Sequence, residues 1–298
     1  MNPFYFSNLN SSKKLLSYVS QYQFFPKKKL GQNFLIDQNI TKIIVKALSL
    51  DNNESVFEIG TGLGALTGEL LCSAQHVFSI EKDLRLQPIL DDLFQNKKDR
   101  LTIIYEDILE FDLKSFLQDK RKEGYQIEKI AGNLPYFISL PLLRKLMDLH
   151  RFLQVAVIMI QKEVAERMMA KPGDKNYGLL SVVSQYYSQI KKIHQVKPDV
   201  FYPKPEVNSM IIRINFLNNP SIQVEDEKLF FEVVRAVFQH RRKNIYNSLK
   251  FYFGEKIEKG RLEESLKKSG LDKNKRGEKY GLQEFALLSR EIKKIIKL

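Results

Sequence analysis

A short run of residues, Asn133-Leu134-Pro135-Tyr136, carries the most specific chemistry in this sequence. It follows the apolar stretch 127–130 and therefore lies at the end of a predicted strand. Asn133 supplies an amide oxygen that accepts hydrogen bonds, Pro135 fixes the backbone and Tyr136 supplies a flat ring. These groups suit a planar substrate that carries an amino group, such as an extruded nucleobase. An ordinary polar turn after a strand would use the same residue types.

A second set of residues surrounds a glycine-rich segment between a predicted strand and a predicted helix. Glycine lets the backbone turn tightly and approach a ligand closely. Gly60, Gly62 and Ala65 satisfy the pattern G-x-G-x-x-G/A, and Glu81 lies 21 residues after Gly60, where a carboxylate can hold ribose hydroxyls. This motif alone fits both NAD and S-adenosylmethionine.

Two further carboxylates favour the sulfonium cofactor. Glu58 precedes the first glycine by two residues and would add negative charge beside a cationic ligand. Asp107 follows a third predicted strand, where its carboxylate can accept a hydrogen bond from the adenine amine of the cofactor. Glu58, Glu81 and Asp107 would then lie at the carboxyl ends of successive strands, the edge at which α/β sheets bind ligands. We therefore favour S-adenosylmethionine over a nicotinamide dinucleotide.

The elements that must position these groups follow an alternation of short apolar and longer amphipathic runs. This alternation predicts an α/β fold with a doubly wound, Rossmann-like sheet that is mostly parallel. The last two strands are separated by a proline-rich loop at 197–206 without a clear helix, so we expect them to form an antiparallel pair at one edge. The predicted strands span residues 55–59, 76–80, 101–105, 128–131, 155–161, 191–196 and 209–216.

The strand pattern stops at Asn218-Asn219-Pro220, and only helical patterns follow. We expect a flexible extension at residues 1–24, a cofactor-binding domain at 25–218 and a small, basic, helical domain at 219–298. The helices of this last domain are predicted at residues 228–240, 245–252, 261–269 and 283–297.

Positive charge is concentrated at the two ends of the chain. The 298 residues include 48 Lys and Arg against 35 Asp and Glu, a net charge of +13. Residues 1–30 contain five lysines and no acid, and residues 221–298 contain 19 basic and 12 acidic residues. A nearly neutral body with basic ends predicts that the ends bind a polyanion such as RNA. Simple solubility is the alternative explanation.

Composition narrows the class of protein further. Cys72 is the one cysteine and the four histidines are scattered, so we expect neither a disulfide nor a bound metal. No apolar run approaches the roughly 20 residues that a membrane span requires. The first residues lack the pattern of a secretory signal. We expect a cytoplasmic protein without a membrane segment.

Taken together, these residues resemble the ribosomal RNA adenine dimethyltransferase family, and within it the bacterial small-subunit branch. The matching motifs occur in the family's order across roughly residues 27 to 250. They are Lys29-Leu30-Gly31-Gln32-Asn33-Phe34-Leu35, 58–67, Glu81, Asp107, Asn133-Leu134-Pro135-Tyr136, 201–209, Phe238, 241–243 and 247–249.

The resemblance implies an S-adenosylmethionine-dependent enzyme that dimethylates two adjacent adenines in the hairpin loop near the 3′ end of small-subunit rRNA. It would act during ribosome biogenesis, on an assembling subunit, and we expect a monomer. The residues expected to contact the cofactor are Asn33, Leu35, Glu58, Gly60, Gly62, Gly64, Glu81, Asp107 and Asn133. The catalytic set would be Asn133, Leu134, Pro135, Tyr136 and Phe201, with Tyr136 and Phe201 stacking on the flipped adenine. The residues expected to contact RNA are Lys27, Lys28, Lys29, Arg241, Arg242 and Lys243.

Three other functions remain open on the sequence alone. A large-subunit adenine methyltransferase of the antibiotic-resistance type would share the fold and the motifs. A non-catalytic nucleic-acid-binding factor could use the same scaffold, although the intact run from Asn133 to Tyr136 disfavours it. An NAD-dependent oxidoreductase would share only the glycine loop.

Overall fold

A computed structural model describes residues 12–51, 53–254, 256–257 and 259–296. Its residues form two compact units, which we describe separately. The first contains the described residues up to Ala165 together with Ile190–Phe216, and the second contains Glu166–Gln189 and the described residues from Leu217 onward.

The first unit is built on a seven-stranded sheet. Its strands are β2 (Ser55–Ile59), β3 (Val77–Glu81), β4 (Leu101–Tyr105), β5 (Ile127–Asn133), β6 (Val155–Gln161), β7 (Ser188–Val196) and β9 (Ser209–Phe216). They lie in the order β4-β3-β2-β5-β6-β9-β7. The strands from β4 to β6 pair in parallel, whereas β9 pairs antiparallel with β6. The predicted α/β sheet with an antiparallel last pair is therefore confirmed.

Two short strands and a set of helices complete this unit. Strand β1 (Phe34–Leu35) pairs antiparallel with β8 (Phe201–Tyr202). Helices on the faces of a parallel sheet bury its central strands on both sides, which is why β2 and β3 are buried along their whole length. The helices are α1 (Ser12–Gln21), α2 (Gln38–Leu48), α3 (Ala65–Leu70), α4 (Gln87–Leu93), α5 (Leu113–Lys122), α6 (Ser139–Asp148) and α7 (Lys162–Met169), whose last residues belong to the second unit.

Residues 12–24 differ from the flexible extension that we expected. They contain α1, whose Leu15 and Val19 are buried in the core, and Phe24, whose ring packs edge-on against Phe34. The Tyr22 hydroxyl donates to Asp92 Oδ2 at 3.0 Å. The sequence did not predict this helix, because its apolar positions lie among serines and lysines. Residues 1–11 of the expected extension lie outside the described residues.

The second unit is helical. It contains α8 (Leu179–Tyr187), α9 (Glu227–Gln239), α10 (Ile245–Phe253), α11 (Lys259–Lys268) and α12 (Leu282–Lys293). The last four helices agree with the sequence prediction, whereas residues 166–189 were expected in the cofactor-binding domain. Among the described helices of both units, none is long and apolar enough to cross a membrane.

Aromatic packing explains why α8 belongs to the helical unit. The ring of Tyr186 stacks on Phe230, and that of Tyr187 stacks on Phe231, both on α9. Both tyrosine hydroxyls donate to the carboxylate of Glu227, at 3.1 and 2.7 Å. Contacts of this kind join segments distant in sequence, so local sequence patterns do not reveal them.

Candidate active site

A cavity opens at the carboxyl ends of β2, β3, β4 and β5, the edge at which sheets of this type bind ligands. It is open to solvent, and more of its lining surface is apolar than polar, as is usual for sites that bind small organic ligands. Its wall contains residues 30–35, the glycine loop, the ends of β3 and β4, and residues 133–138. The predicted residues that line it are Asn33, Leu35, Gly60, Gly62, Glu81, Asp107, Asn133, Leu134, Pro135 and Tyr136.

The glycine loop brings main chain to the wall of the cavity. Gly60 and Gly62 have φ values of +84° and +55°, a region that residues with a Cβ rarely adopt. A Cβ on Gly62 would also lie 3.1 Å from the ring of Phe34, which forms part of the same wall. A larger residue at position 62 would therefore both strain the turn and displace that wall.

Gly64, predicted to contact the cofactor, is not among the residues that line the cavity, although Leu63 and Ala65 on either side of it are. It has φ +79° and precedes the first residue of α3. A Cβ there would lie 2.7 Å from the ring of Phe94 and 3.0 Å from Leu93. Gly64 thus allows α3 to begin against the end of α4, which is a packing role.

Glu81, predicted to hold ribose hydroxyls, lines the cavity and is hydrogen-bonded to the glycine loop. The Gly62 N–H donates to its Oε2 at 2.9 Å, and the Asp83 N–H donates to its Oε1 at 2.8 Å. Burial raises the pKa of Glu81, and these two hydrogen bonds oppose that rise. Each carboxylate oxygen keeps a further acceptor site, so the side chain can still receive hydroxyl donors from the cavity.

Glu58 is placed differently from our expectation. Its side chain is fully buried, does not line the cavity, and accepts hydrogen bonds from Thr67 Oγ1 at 2.6 Å and Ser79 Oγ at 2.8 Å. Burial raises its pKa to about 8, so near neutral pH the group is mostly protonated. Glu58 therefore does not present negative charge to a ligand, and instead joins β2 to α3 and β3.

The raised pKa of Glu58 predicts a pH-dependent stability. Between its ordinary pKa of 4.5 and about 8, the folded protein keeps a proton that the unfolded chain releases. The resulting stabilisation is fully present below pH 4.5 and is lost as the pH rises through 8. Glu58→Gln mimics the protonated acid, so we expect its urea-unfolding free energy to fall less between pH 6 and pH 8, by up to about 1.4 kcal/mol per pH unit. Identical pH slopes for both proteins would contradict this assignment.

Asp107 lines the cavity, and its carboxylate accepts two hydrogen bonds from within the protein. Its Oδ2 accepts from Lys82 Nζ at 2.5 Å, and its Oδ1 accepts from the Leu109 N–H at 3.0 Å. Burial acts to raise the pKa of Asp107, but the hydrogen bond from Lys82 and that from Leu109 prevail and hold the pKa below its usual value. Asp107 therefore presents an ionised acceptor to the cavity.

The amide of Asn133 has a defined orientation. Its Nδ2 donates to the main-chain oxygen of Asn33 at 3.0 Å. Because a carbonyl oxygen can only accept, the amino end of the amide must point to Asn33, and Oδ1 is the end that can accept from a substrate. This contact also joins the end of β5 to the segment that carries Asn33 and Leu35.

The ring of Tyr136 is held by its hydroxyl. Tyr136 Oη lies 2.7 Å from Ser209 Oγ, at the start of β9. Pro135, with φ −56°, precedes the helical turn 136–138 that leads into α6. The residues of the predicted catalytic run are thus brought together in the wall of the cavity, next to the glycine loop.

Phe201 is the member of the predicted catalytic set that the structure places elsewhere. It pairs with Leu35 across the β1–β8 ribbon, is only 4% exposed, and is absent from the cavity wall. Its neighbour Tyr202 is 37% exposed. Successive residues of a strand face opposite sides, so the buried side of this short strand received Phe201 and its ring face is not available to a base.

The basic residues near the start of the chain precede the cavity wall. Lys27 and Lys29 are exposed, and the Lys27 N–H donates to Gln32 Oε1 at 2.6 Å. The side chain of Lys28, also assigned to RNA binding, lies outside the described residues. The wall residues Leu30 and Gly31 follow directly, so this basic segment adjoins the rim of the cavity.

The basic cluster of the second unit, Arg241-Arg242-Lys243, has three different environments. Arg241 Nη2 donates to the main-chain oxygens of Lys175 and Tyr177, at 2.7 and 3.1 Å. Lys243 Nζ lies 4.7 Å from the centre of the Phe251 ring. Arg242 is exposed, and within the described part of the chain its side chain contacts no partner. Arg241 therefore holds the loop before α8, whereas Arg242 is open to an external ligand.

Sequence reasoning missed Gln32 as a structural link of the site. Its Nε2 donates to Asp83 Oδ2 at 2.6 Å, and Asp83 also binds the Arg85 guanidinium. Gln32 thereby connects the segment at 27–33 to the residues after Glu81. The available signal was its place beside Asn33 in the matching motif, but its partner is 51 residues away.

The fold and the cavity define a class of protein: a Rossmann-like methyltransferase with a helical second unit. The crystal structure of a dimethyladenosine transferase from Plasmodium falciparum aligns with a TM-score of 0.74 and 23% identity, over 89% of this chain and all of that chain. The crystal structure of the 23S rRNA methyltransferase ErmE aligns with a TM-score of 0.65 and 22% identity, over 88% of this chain and all of that chain. These two likenesses concern the fold.

The sequence comparisons give the family. The model of the ribosomal RNA adenine dimethylase family matches residues 24–294, so the chain belongs to that family. Ribosomal RNA small subunit methyltransferase A of Halothermothrix orenii is 43% identical over 271 residues, which are 91% of this chain and 89% of that protein. The protein of the same name from Bacillus licheniformis is 39% identical over 279 residues, 93% and 95% of the two chains. The predicted family, enzyme class and S-adenosylmethionine cofactor are confirmed. The alternative of an NAD-dependent oxidoreductase is therefore excluded.

Proposed function

We propose that this enzyme dimethylates the exocyclic amines of two adjacent adenines in the 3′-terminal hairpin loop of small-subunit rRNA. The observation that carries this proposal is the orientation of Asn133, whose amide oxygen can accept from an amine at the mouth of the cavity. The 39–43% identical relatives named for small-subunit rRNA support the choice of substrate.

The residues of the cavity fit S-adenosylmethionine. Glu81 offers acceptors for ribose hydroxyls, and Asp107 offers an ionised acceptor for the adenine amine. Ile108 and Leu134 add apolar wall, and the glycines leave room for close approach of the main chain. When bound, the cofactor supplies a methyl group on a cationic sulfur. Holding amine and methyl in line can contribute roughly 7–11 kcal/mol to catalysis by positioning alone.

The catalytic run acts on the adenine amine. The lone pair of this amine is delocalised into the ring, so the amine is a weak nucleophile. In the first transfer, Asn133 Oδ1 and the Leu134 carbonyl accept the two hydrogens of the amine, draw it towards a tetrahedral shape and localise the pair. In the second transfer the amine has one hydrogen left for these acceptors. Tyr136 stacks on the base and offsets the cost of unstacking it, a few kcal/mol. The nitrogen would become cationic as its lone pair bonds the methyl carbon and the carbon–sulfur bond breaks. No strong base is needed, because the proton then leaves a cationic nitrogen and passes to water.

We propose that the substrate is rRNA within an assembling small subunit, and that a monomer acts on it in the cytoplasm. The basic segment at residues 27–29 and the exposed Arg242 support contact with RNA phosphates.

The function is tested by transfer of radiolabelled methyl groups from S-adenosylmethionine to three substrates. These are small subunits from cells that lack this modification, large subunits, and small-subunit rRNA free of protein. We expect label in the small subunits. Label in large-subunit rRNA would indicate the resistance-type activity, and the absence of label in every substrate would indicate a non-catalytic binding factor.

The salt dependence of RNA binding tests the role of Arg242. We expect Arg242→Ala to reduce the slope of log K against log salt by about 0.7–0.9, the value for one lost phosphate contact. Arg151→Ala is the matched control, because Arg151 is exposed but lies just before β6, at the sheet edge opposite the cavity. Equal slopes for wild type and Arg242→Ala would remove Arg242 from the RNA interface.

A further inference from the structure

The ammonium group of Lys145, on α6, donates to three main-chain carbonyls at once. Nζ lies 2.8 Å from the oxygen of Ile108, 3.0 Å from that of Leu109 and 2.5 Å from that of Phe111. An ammonium group has three donors, so all of them are used within the protein. The side chain is partly buried, whereas that of the neighbouring Arg144 is exposed. Lys145 is therefore not a residue that serves solubility.

The three carbonyls belong to the loop that brings Asp107 to the cavity. Within this loop the Asp107 carboxylate accepts from the Leu109 N–H, and the Asp107 carbonyl accepts from the N–H groups of Glu110 and Phe111, at 3.0 and 2.9 Å. Asp107 and the buried Ile108 both line the cavity, but Lys145 does not. Lys145 thus fixes the turn whose first two residues form the predicted adenine end of the cofactor site.

The helix that carries Lys145 also supports the catalytic run. Helix α6 begins at Ser139, directly after the turn 136–138, and Ser139 Oγ donates to the Pro135 carbonyl at 3.2 Å. One helix therefore holds the catalytic run at its start and the adenine loop two turns later. Removal of the Lys145 ammonium would leave three carbonyls without this donor and free the loop to move independently of the catalytic run.

We propose that Lys145 is a positioning residue of the cofactor site, which holds the loop 107–111 so that Asp107 and Ile108 receive the adenine of S-adenosylmethionine. The inference rests on the proposed function and deepens it. It assigns the cofactor affinity partly to a side chain outside the cavity. It also separates Lys145 from Asn133 and Tyr136, which act on the substrate base.

The test compares Lys145→Met with Lys129→Met. Lys129 is a buried lysine of the same unit, whose Nζ donates to the Ser49 carbonyl at 2.7 Å and to Glu54 at 2.6 Å, and it does not line the cavity. Both variants are expected to lower the melting temperature. Only Lys145→Met is expected to raise the Kd of S-adenosylmethionine, by about tenfold or more, with kcat at saturating cofactor within about threefold of wild type.

A second readout distinguishes positioning from general loss of stability. S-adenosylhomocysteine carries the adenine amine, and its inosine counterpart carries an oxygen in that place. We expect wild type to prefer the amine, and Lys145→Met to lose most of this preference because Asp107 is no longer held. Lys145→Arg, which keeps the charge but not the three-point geometry, should fall between them.

The outcomes separate this inference from the proposed function. The inference is overturned, while the proposed function stands, if folded Lys145→Met binds both compounds as wild type does. If Lys145→Met does not fold, the same result with Lys145→Arg overturns the inference. The inference is likewise overturned if Lys129→Met changes the Kd of the cofactor equally. If wild type itself does not bind S-adenosylmethionine, the proposed function fails.

Discussion

Asn133→Ala is expected to lower the rate constant of methyl transfer by about 10²–10³-fold, the cost of removing one well-placed polar group from a reacting centre. In the proposed mechanism the amide oxygen of Asn133 is the acceptor that reshapes the adenine amine, and water in its place would have no fixed orientation. RNA binding should remain close to wild type, because its free energy comes from phosphate contacts and stacking. Single-turnover rates with saturating cofactor and RNA measure the effect directly.

A matched variant controls for loss of an asparagine as such. Asn39 is exposed on α2, and Asn39→Ala should leave the rate unchanged. The Kd of S-adenosylmethionine has to be measured for Asn133→Ala as well, since Asn133 borders the cofactor cavity. A rate near that of wild type in Asn133→Ala would mean that the amine is activated by another group.

The second large effect concerns the ring of Tyr136. Loss of the stacking face in Tyr136→Ala should cost about 1–3 kcal/mol, or roughly 5- to 150-fold in kcat/KM. Tyr136→Phe keeps the face and loses only the hydrogen bond to Ser209, so we expect activity within about threefold of wild type and about 1 kcal/mol less stability.

Ser209→Ala supplies the control for the hydroxyl. It removes the same hydrogen bond from the other side and leaves the ring intact, so it should match Tyr136→Phe in both activity and unfolding free energy. If Tyr136→Ala and Tyr136→Phe lost activity equally, the hydroxyl rather than the face would be the group that acts. If both lost only stability, Tyr136 would be a packing residue.

Local patterns predicted the sheet accurately. Strands at 55–59, 101–105, 155–161 and 209–216 were found with their observed bounds, because short apolar runs between turns and amphipathic helices are a local property. The carboxyl ends of parallel strands share one edge, so the positions of Glu81, Asp107 and Asn133 on the cavity followed from the fold class.

The predicted placements differ from the structure at residues where the sequence does not show which side of a strand or turn is buried. Glu58 and Phe201 have residue types suited to a ligand, but each points into the core through contacts with distant segments. Gly64 has a positive φ like Gly60 and Gly62, yet a Cβ on it would meet the ring of Phe94. Lys145 carried no sequence signal, since its three partners lie 34 to 37 residues away.

The predicted RNA contacts also differ in whether their side chains already make hydrogen bonds within the protein. Arg241 donates to two carbonyls of its own unit, whereas Arg242 is exposed. Sequence alone could not separate two adjacent arginines. We therefore assign the salt dependence of the second unit to Arg242 and the integrity of the loop before α8 to Arg241.

We claim that the enzyme uses the Asn133 amide to dimethylate adenine in small-subunit rRNA. Mass-spectrometric mapping of methylated nucleotides tests this in small subunits that lack the modification, after incubation with S-adenosylmethionine and either wild type or Asn133→Ala. We expect wild type to convert two adjacent adenines of the 3′-terminal hairpin loop to dimethyladenine, and Asn133→Ala to leave both unmodified over the same time. Dimethylation of these adenines by Asn133→Ala at the wild-type rate, or methylation only at other nucleotides, would contradict the claim.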